Sequence, residues 1–226
     1  MTNEAERCNI TPLYYTVIRS VRNARNTFNI GAHTHCRKKG ISRKGISFGV
    51  AEEHSKIGRS YHRRLYGYYS SKEELFAALV DEHYKYLLTK YKQSLSGFEE
   101  LSPKRQTERM GSVGKECMQE MLVYMHSHRD EFHLILLCSD GTPYSTLTDD
   151  LVELEIKATN RYCDTLRGLG KTVPDIDERL EHILVTGMMN AYFEIIIHDM
   201  SMEDAEKYLC ELNDFYTAGW LKIMGQ

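Results

Sequence analysis

Apolar side chains recur every three or four positions along much of the chain, which is the spacing of one face of an α-helix. The stretch from Ser70 to Tyr91 has Glu73 and Glu74 in its first turn, where the positive end of the helix dipole favours carboxylates. Its apolar face consists of Leu75, Leu79, Tyr84, Leu87, Leu88 and Tyr91. The pattern predicts a long helix with Ser70 or Ser71 as its N-cap.

The remainder of the chain towards the C-terminus has the same helical period, interrupted by short polar segments. Ser102-Pro103 suits an N-cap and a first helical position, residues 139–145 (SDGTPYS) form the clearest loop, and Ser201 with Asp204 resembles a capping box. Helices are predicted over about 103–128, 129–139, 146–169, 175–198 and 202–224. No segment has the alternation of a strand, so the predicted fold class is all-α.

The first third of the chain predicts one long helix over about 12–39 and two short ones over about 46–56 and 60–68. Glycines at 40, 45 and 58 lie between them, Gly49 falls within the second, and Ser60 can cap the third. Two short helices joined by a glycine-containing turn match the plan of a helix-turn-helix.

Charge is divided unevenly between the two parts of the chain. The formal net charge is only -3, but residues 1–72 carry 14 Lys and Arg against 4 Asp and Glu, whereas residues 73–226 carry 15 against 28. A local excess of ten positive charges favours a polyanionic partner, either nucleic acid or an anionic membrane surface. The simpler alternative is a solvated basic face.

The segment LYGYYSSKEELF, residues 65–76, resembles the TetR family of bacterial transcriptional regulators. In that family a recognition helix ends in a Leu-Tyr-x-Tyr/His-Phe run, and a Ser-Lys-Glu-Glu-Leu sequence starts the next long helix. The matching positions here are Leu65, Tyr66, Tyr68, Tyr69, Ser71, Lys72, Glu73, Glu74 and Leu75. Val50-Ala51 is similar to part of the family's second helix, but sixteen positions separate Val50 from Tyr66, about one helical turn more than is usual.

The resemblance implies a homodimer with two domains in each chain. Residues 1–72 would form a three-helix DNA-binding domain, and residues 73–226 a helical domain that dimerises and binds a small-molecule effector. Regulators of this kind bind palindromic double-stranded DNA and most often repress transcription. The residues expected to contact DNA are Arg59, Ser60, Tyr61, His62, Arg63, Arg64, Tyr66, Tyr69 and Lys72. Several of them could instead face water, and Tyr66 and Tyr69 could serve mainly in packing.

The effector cavity is expected among the middle helices, where facing side chains leave the largest internal space. The candidate wall residues are Tyr124, His128, Leu136, Tyr144, Tyr162, Met188, Met189 and Tyr192, although residues of these types are more often core than cavity wall. The dimer surface is expected on the last two helices. Its candidate residues, which would otherwise be intrachain core, are Leu180, Ile183, Leu184, Gly187, Ala191, Ile195, Leu212 and Phe215.

Other classes of function have less support in the sequence. His126, His128 and His133 lack a metal-binding His-x-x-x-His spacing, so no metal or cofactor is expected. An enzyme using His128 and Glu131 as acid and base lacks a nucleophile or phosphate loop, and a helical adaptor with its basic end on a membrane is a further alternative. Apolar runs shorter than a bilayer, scattered cysteines and no visible leader predict a cytoplasmic protein without a membrane span.

Overall fold

The computed structural model describes residues 69–226. Within that range the chain is helical throughout and contains no strand, which confirms the all-α prediction for this part. The helices predicted over 12–39, 46–56 and 60–68, and with them the helix-turn-helix, lie outside the described residues.

Seven α-helices and one 3₁₀ helix follow one another in residues 69–226. They are α1 Lys72–Glu99, α2 Pro103–Arg109, α3 Ser112–Ser127, α4 Arg129–Cys138, the 3₁₀ helix Pro143–Thr146, α5 Leu147–Gly168, α6 Glu178–Ile197 and α7 Met202–Ile223. The predicted boundaries are confirmed to within three residues for α4, α5, α6 and α7, and so is the start of α1, which continues eight residues beyond the predicted end at Tyr91.

Side chains cap the N-termini of α1, α6 and α7. Ser71 Oγ accepts from Glu74 N at 3.1 Å, and Glu74 Oε2 accepts from Ser70 N at 2.6 Å, so α1 begins with a reciprocal cap. Ser201 Oγ accepts from Asp204 N at 3.1 Å at the start of α7. Asp177 caps α6, which therefore begins at Glu178 rather than near residue 175.

The single helix predicted over 103–128 is wrong, because the chain breaks between α2 and α3. Met110 is extended, with φ -56° and ψ 128°, and Gly111 has φ 83°, a left-handed conformation that favours glycine. A β-carbon on Gly111 would lie 2.7 Å from Thr217 Cγ2. The break therefore lets α7 pass close to the backbone between the two helices.

The turn from α1 into α2 is held by one buried amide. Gln106 Nε2 donates to Glu99 O and to Leu101 O, both at 3.0 Å, and the side chain is almost completely buried. These bonds satisfy carbonyl groups at the end of α1 that have no partner inside the helix.

The core lies where α1 packs against α3, α4 and α5, and where α6 packs against α4, α5 and α7. Its fully buried side chains include Leu87, Leu122, Met125, Phe132, Leu151, Val185, Tyr192 and Ile196. Tyr192 donates its hydroxyl to Met118 O at 2.8 Å, which pairs the one polar atom that it brings into the core.

Gly111→Ala is expected to destabilise the protein by about 1–3 kcal/mol, because it adds a β-carbon in a left-handed conformation and against Thr217. Urea unfolding followed by far-UV circular dichroism measures this. The matched control is Gly97→Ala in α1, where nothing lies within 4 Å of the new β-carbon, and where a gain of up to about 1 kcal/mol is expected. Equal effects of the two substitutions would contradict the role given to Gly111.

Candidate ligand cavity

A partly open cavity of about 140 Å³ lies between α1, the α2–α3 break, α3, α5, α6 and α7. Five aromatic side chains from three helices form much of its wall: Tyr91, Phe98, Tyr162, Tyr216 and Trp220. A cavity of this size is comparable to engineered apolar cavities that hold one benzene molecule.

Methionines and small polar groups complete the wall. Met110, Met118, Met188 and Met224 are unbranched and can adjust to the outline of a ligand. The polar members are Ser94, Glu155, Thr159, Asn213 and Thr217. Among the described residues that line this space, none is Lys, Arg or His.

Glu155 is the one ionisable carboxyl on the wall. It lies on the apolar face of α5 between Leu151 and Tyr162, and its Oε2 accepts from Tyr91 Oη at 2.6 Å. Burial raises the pKa of Glu155, and Glu181 raises it further, while the Tyr91 hydrogen bond lowers it. The pKa of Tyr91 is raised well above its ordinary value by burial and by Glu155, so the phenol remains the proton donor.

A second carboxyl, Glu181, lies in the first turn of α6. It is 2% exposed, and its Oε2 accepts from Asn160 Nδ2 at 3.2 Å. Its Oε1 has no hydrogen-bond partner within the part of the chain that the structure describes. Burial raises the pKa of Glu181, opposed by the Asn160 bond, so the carboxylate form is disfavoured there.

The structure brings two of the eight predicted ligand residues to the cavity. Tyr162 and Met188 lie on its wall, as does Leu212, which was predicted for the dimer surface. Met189 and Tyr192 are buried in the core instead. Leu136 and Tyr144 pack against the core outside this cavity.

The remaining two predicted ligand residues, Tyr124 and His128, belong to a separate aromatic cluster with His83. His83 Nδ1 lies 2.9 Å from Tyr124 Oη, and the rings of His83 and His128 are 4.6 Å apart. Burial lowers the pKa of His83, and the neighbouring His128 lowers it further. Neutral imidazole is therefore the favoured form of His83 in the folded protein.

The histidines and the carboxyl weighed for metal binding and acid–base chemistry, His126, His128, His133 and Glu131, all lie within residues 69–226. In that range no group of three or more His, Cys, Asp or Glu side chains is placed to hold a metal ion. Glu131 is buried on α4, and His128 Nδ1 lies 2.9 Å from Tyr124 O in the preceding turn. No hydrogen bond joins His128 to Glu131 in the described region.

The residues predicted for the dimer surface differ in their exposure to solvent. Ile183 and Phe215 are 64% and 72% exposed, and Leu180 is also exposed. Ile195 is buried in the core. A β-carbon on Gly187 would lie 3.2 Å from Tyr216 Oη, so the small size of this residue serves packing between α6 and α7 of one chain. Leu184, Ala191 and Leu212 are partly buried.

Two of the predicted DNA-contact residues fall within the described range. Lys72 is exposed at the first position of α1, and Tyr69 is partly buried just before it. The other predicted contacts lie outside the described residues: Arg59, Ser60, Tyr61, His62, Arg63, Arg64 and Tyr66.

Helix α6 meets the length and composition criteria for crossing a membrane, with a mean hydropathy of 1.2. The prediction from apolar run length alone overlooked it, because its apolar residues are interspersed with Gly, Thr and Asn. Val185, Met189, Tyr192, Phe193 and Ile196 of this helix are buried in the bundle. Core helices of water-soluble proteins meet the same criteria.

Comparison of the chain with protein-family models, curated proteins and solved structures found no match.

We expect Glu181→Gln to raise the free energy of unfolding by about 1 kcal/mol at pH 7.5, because it removes a buried, incompletely paired charge. A raised carboxyl pKa destabilises the folded state at high pH, and this penalty disappears as pH falls through the folded pKa towards the ordinary value of 4.5. The gain over wild type should therefore shrink with falling pH. Urea unfolding between pH 4.5 and 8 measures it.

Glu153→Gln, on the exposed side of α5, is the control and should change stability little at any pH in this range. A Glu181→Gln effect that does not vary with pH would contradict the assignment of a raised pKa to this carboxyl.

Proposed function

We propose that this chain is a one-component transcriptional regulator of the TetR type. In this proposal it binds palindromic operator DNA as a homodimer through residues 1–72, acts as a repressor, and is released from DNA when a small molecule enters the cavity. The observation that carries the proposal is the sequence LYGYYSSKEELF at the junction between the basic and the acidic parts of the chain.

The start of α1 supports this interpretation. The resemblance calls for a long helix that opens at Ser-Lys-Glu-Glu-Leu, and α1 begins at Lys72 with Ser71 as its N-cap. Lys72 is exposed there, beside the positive end of the helix dipole. A lysine at a helix N-terminus is a suitable partner for a backbone phosphate.

Electrostatics support duplex DNA as the partner of the basic segment. Residues 1–72 carry an excess of ten positive charges, whereas residues 73–226 carry an excess of thirteen negative charges. A polyanion is attracted to the first part and repelled by the second, which orients its approach. Lys and Arg would displace counterions from phosphates, and residues 60–64 would reach base edges.

The arrangement of the cavity suggests how a ligand could affect DNA binding. Tyr91 and Phe98 belong to α1, which directly follows the proposed DNA-binding segment, and Met188 and Trp220 belong to the proposed dimer helices. A ligand that favours a different placement of α1 against α6 and α7 would change the separation of the two recognition helices. Binding to successive major grooves requires about 34 to 36 Å between them.

Arg63→Ala and Arg64→Ala are expected to weaken duplex binding about tenfold each without unfolding the protein, because each removes a contact to phosphate or guanine. Fluorescence anisotropy with duplexes selected from a random pool measures this, and wild-type affinity should fall steeply with salt. Arg105→Ala, an exposed arginine of α2, is the charge-matched control. The proposal would be refuted by tight duplex binding that does not weaken with increasing salt concentration, or by a selection in which no palindromic sequence is enriched.

Dimerisation through α6 and α7 is expected to depend on their exposed apolar side chains. Ile183→Glu combined with Phe215→Glu should convert a dimer to a monomer in analytical ultracentrifugation and abolish operator binding, because charges would be buried in the interface. Leu137→Glu, an exposed apolar residue at the end of α4, should leave both unchanged. A wild-type monomer bound tightly to the operator would contradict this part of the proposal.

A helical adaptor on an anionic membrane is the second candidate function. The same positive excess in residues 1–72 favours it, since acidic lipid headgroups attract clustered Lys and Arg as phosphates of DNA do. Flotation with vesicles containing phosphatidylserine, beside a duplex-shift assay at the same salt, separates the two. Binding to vesicles without any duplex binding would favour the adaptor.

A further inference from the structure

The chemistry of the cavity wall restricts the class of ligand that it can bind. The wall has five aromatic rings and one carboxyl, and none of its described residues is basic. The negative faces of aromatic rings and a carboxylate both attract positive charge. An anionic ligand would have no cation to pair with and would lie beside Glu155.

Glu155 has one oxygen that remains available for a ligand. Tyr91 donates to Oε2, whereas Oε1 accepts no hydrogen bond from the part of the chain that the structure describes. The side chain is partly exposed even though it lies within the bundle, because it borders the cavity. Tyr91 therefore fixes the carboxyl and leaves one acceptor for a donor inside the cavity.

The volume limits the part of a ligand that the cavity itself can hold to about one aromatic ring with a short substituent. The cavity measures about 140 Å³, close to the size of an engineered cavity that holds benzene. The methionines at positions 110, 118, 188 and 224 allow small changes of outline, but the space does not hold a multi-ring compound without rearrangement.

We infer that the cavity binds a small organic amine in its protonated form, with an apolar body of about one ring, whose ammonium group donates to Glu155. The aromatic side chains of the wall contact the apolar ring of the ligand, and the carboxylate of Glu155 favours a positively charged ligand over a neutral or anionic one. This inference deepens the ligand-binding half of the proposed function and does not depend on the DNA-binding half.

Binding should depend on pH, because the amine pairs with the carboxylate form of Glu155. The titratable groups around Glu155 are Tyr91 of α1, Cys117 of α3, Tyr162 of α5, Glu181 of α6 and Tyr216 of α7. The three phenols and the thiol have raised pKa values and stay neutral below pH 8. Amine affinity should therefore decrease as pH falls through the raised pKa of Glu155.

Isothermal titration of the full chain at pH 8 with three matched single-ring probes tests the inference. Benzylamine is expected to bind at least about tenfold more tightly than benzyl alcohol, and benzoate is expected to give no binding. Glu155→Gln should weaken benzylamine at least about tenfold and change benzyl alcohol by less than about threefold. Glu153→Gln, on the exposed side of the same helix, should change neither.

The comparison of probes on the wild-type protein does not require any variant to fold. Equal affinity for benzylamine and benzyl alcohol, preference for benzoate, no benzylamine binding up to about 10 mM, or an unchanged affinity in folded Glu155→Gln would each overturn the inference. The titrations contain no DNA, so their outcome is separate from that of the duplex-binding experiments.

Discussion

The close approach of α7 to the break between α2 and α3 is the constraint on which the interior of the bundle depends. Gly111 adopts a positive φ and has no side chain, so Thr217 can lie against its backbone. Both residues border the cavity. The same contact therefore orients α3, positions α7 and closes one side of the space that holds Glu155.

Much of the helical framework of residues 69–226 could be predicted, because its signals are local. Ser71 and Ser201 cap helices through residues three positions away, within one turn. The break at Gly111 could not be predicted, since a glycine inside a helical pattern is tolerated and the contact with Thr217 joins positions far apart in sequence. The formation of these helices depends on residues close together in sequence, whereas the break at Gly111 depends on a contact with a distant helix.

The candidate site was predicted less well than the fold, for a related reason. Tyr162 and Met188 reach the cavity, but Tyr192, one turn after Met188 on α6, lies in the core, where its hydroxyl donates to Met118 O. Glu155 was overlooked, although a carboxylate on the apolar stripe of α5 was visible in the sequence as an exception to the pattern. A charged residue at an apolar position of a helix is therefore a more specific sign of a site than an apolar or aromatic residue that fits the pattern.

The cavity wall draws on side chains from Tyr91 in α1 to Met224 just beyond α7. During synthesis the first of these leaves the ribosome long before the last, and the Tyr91–Glu155 hydrogen bond itself spans 64 positions. A nascent chain that lacks α7 has no Trp220 or Met224 to shield the carboxyl from water. The cavity wall is consequently complete only once α7 and Met224 have been synthesised.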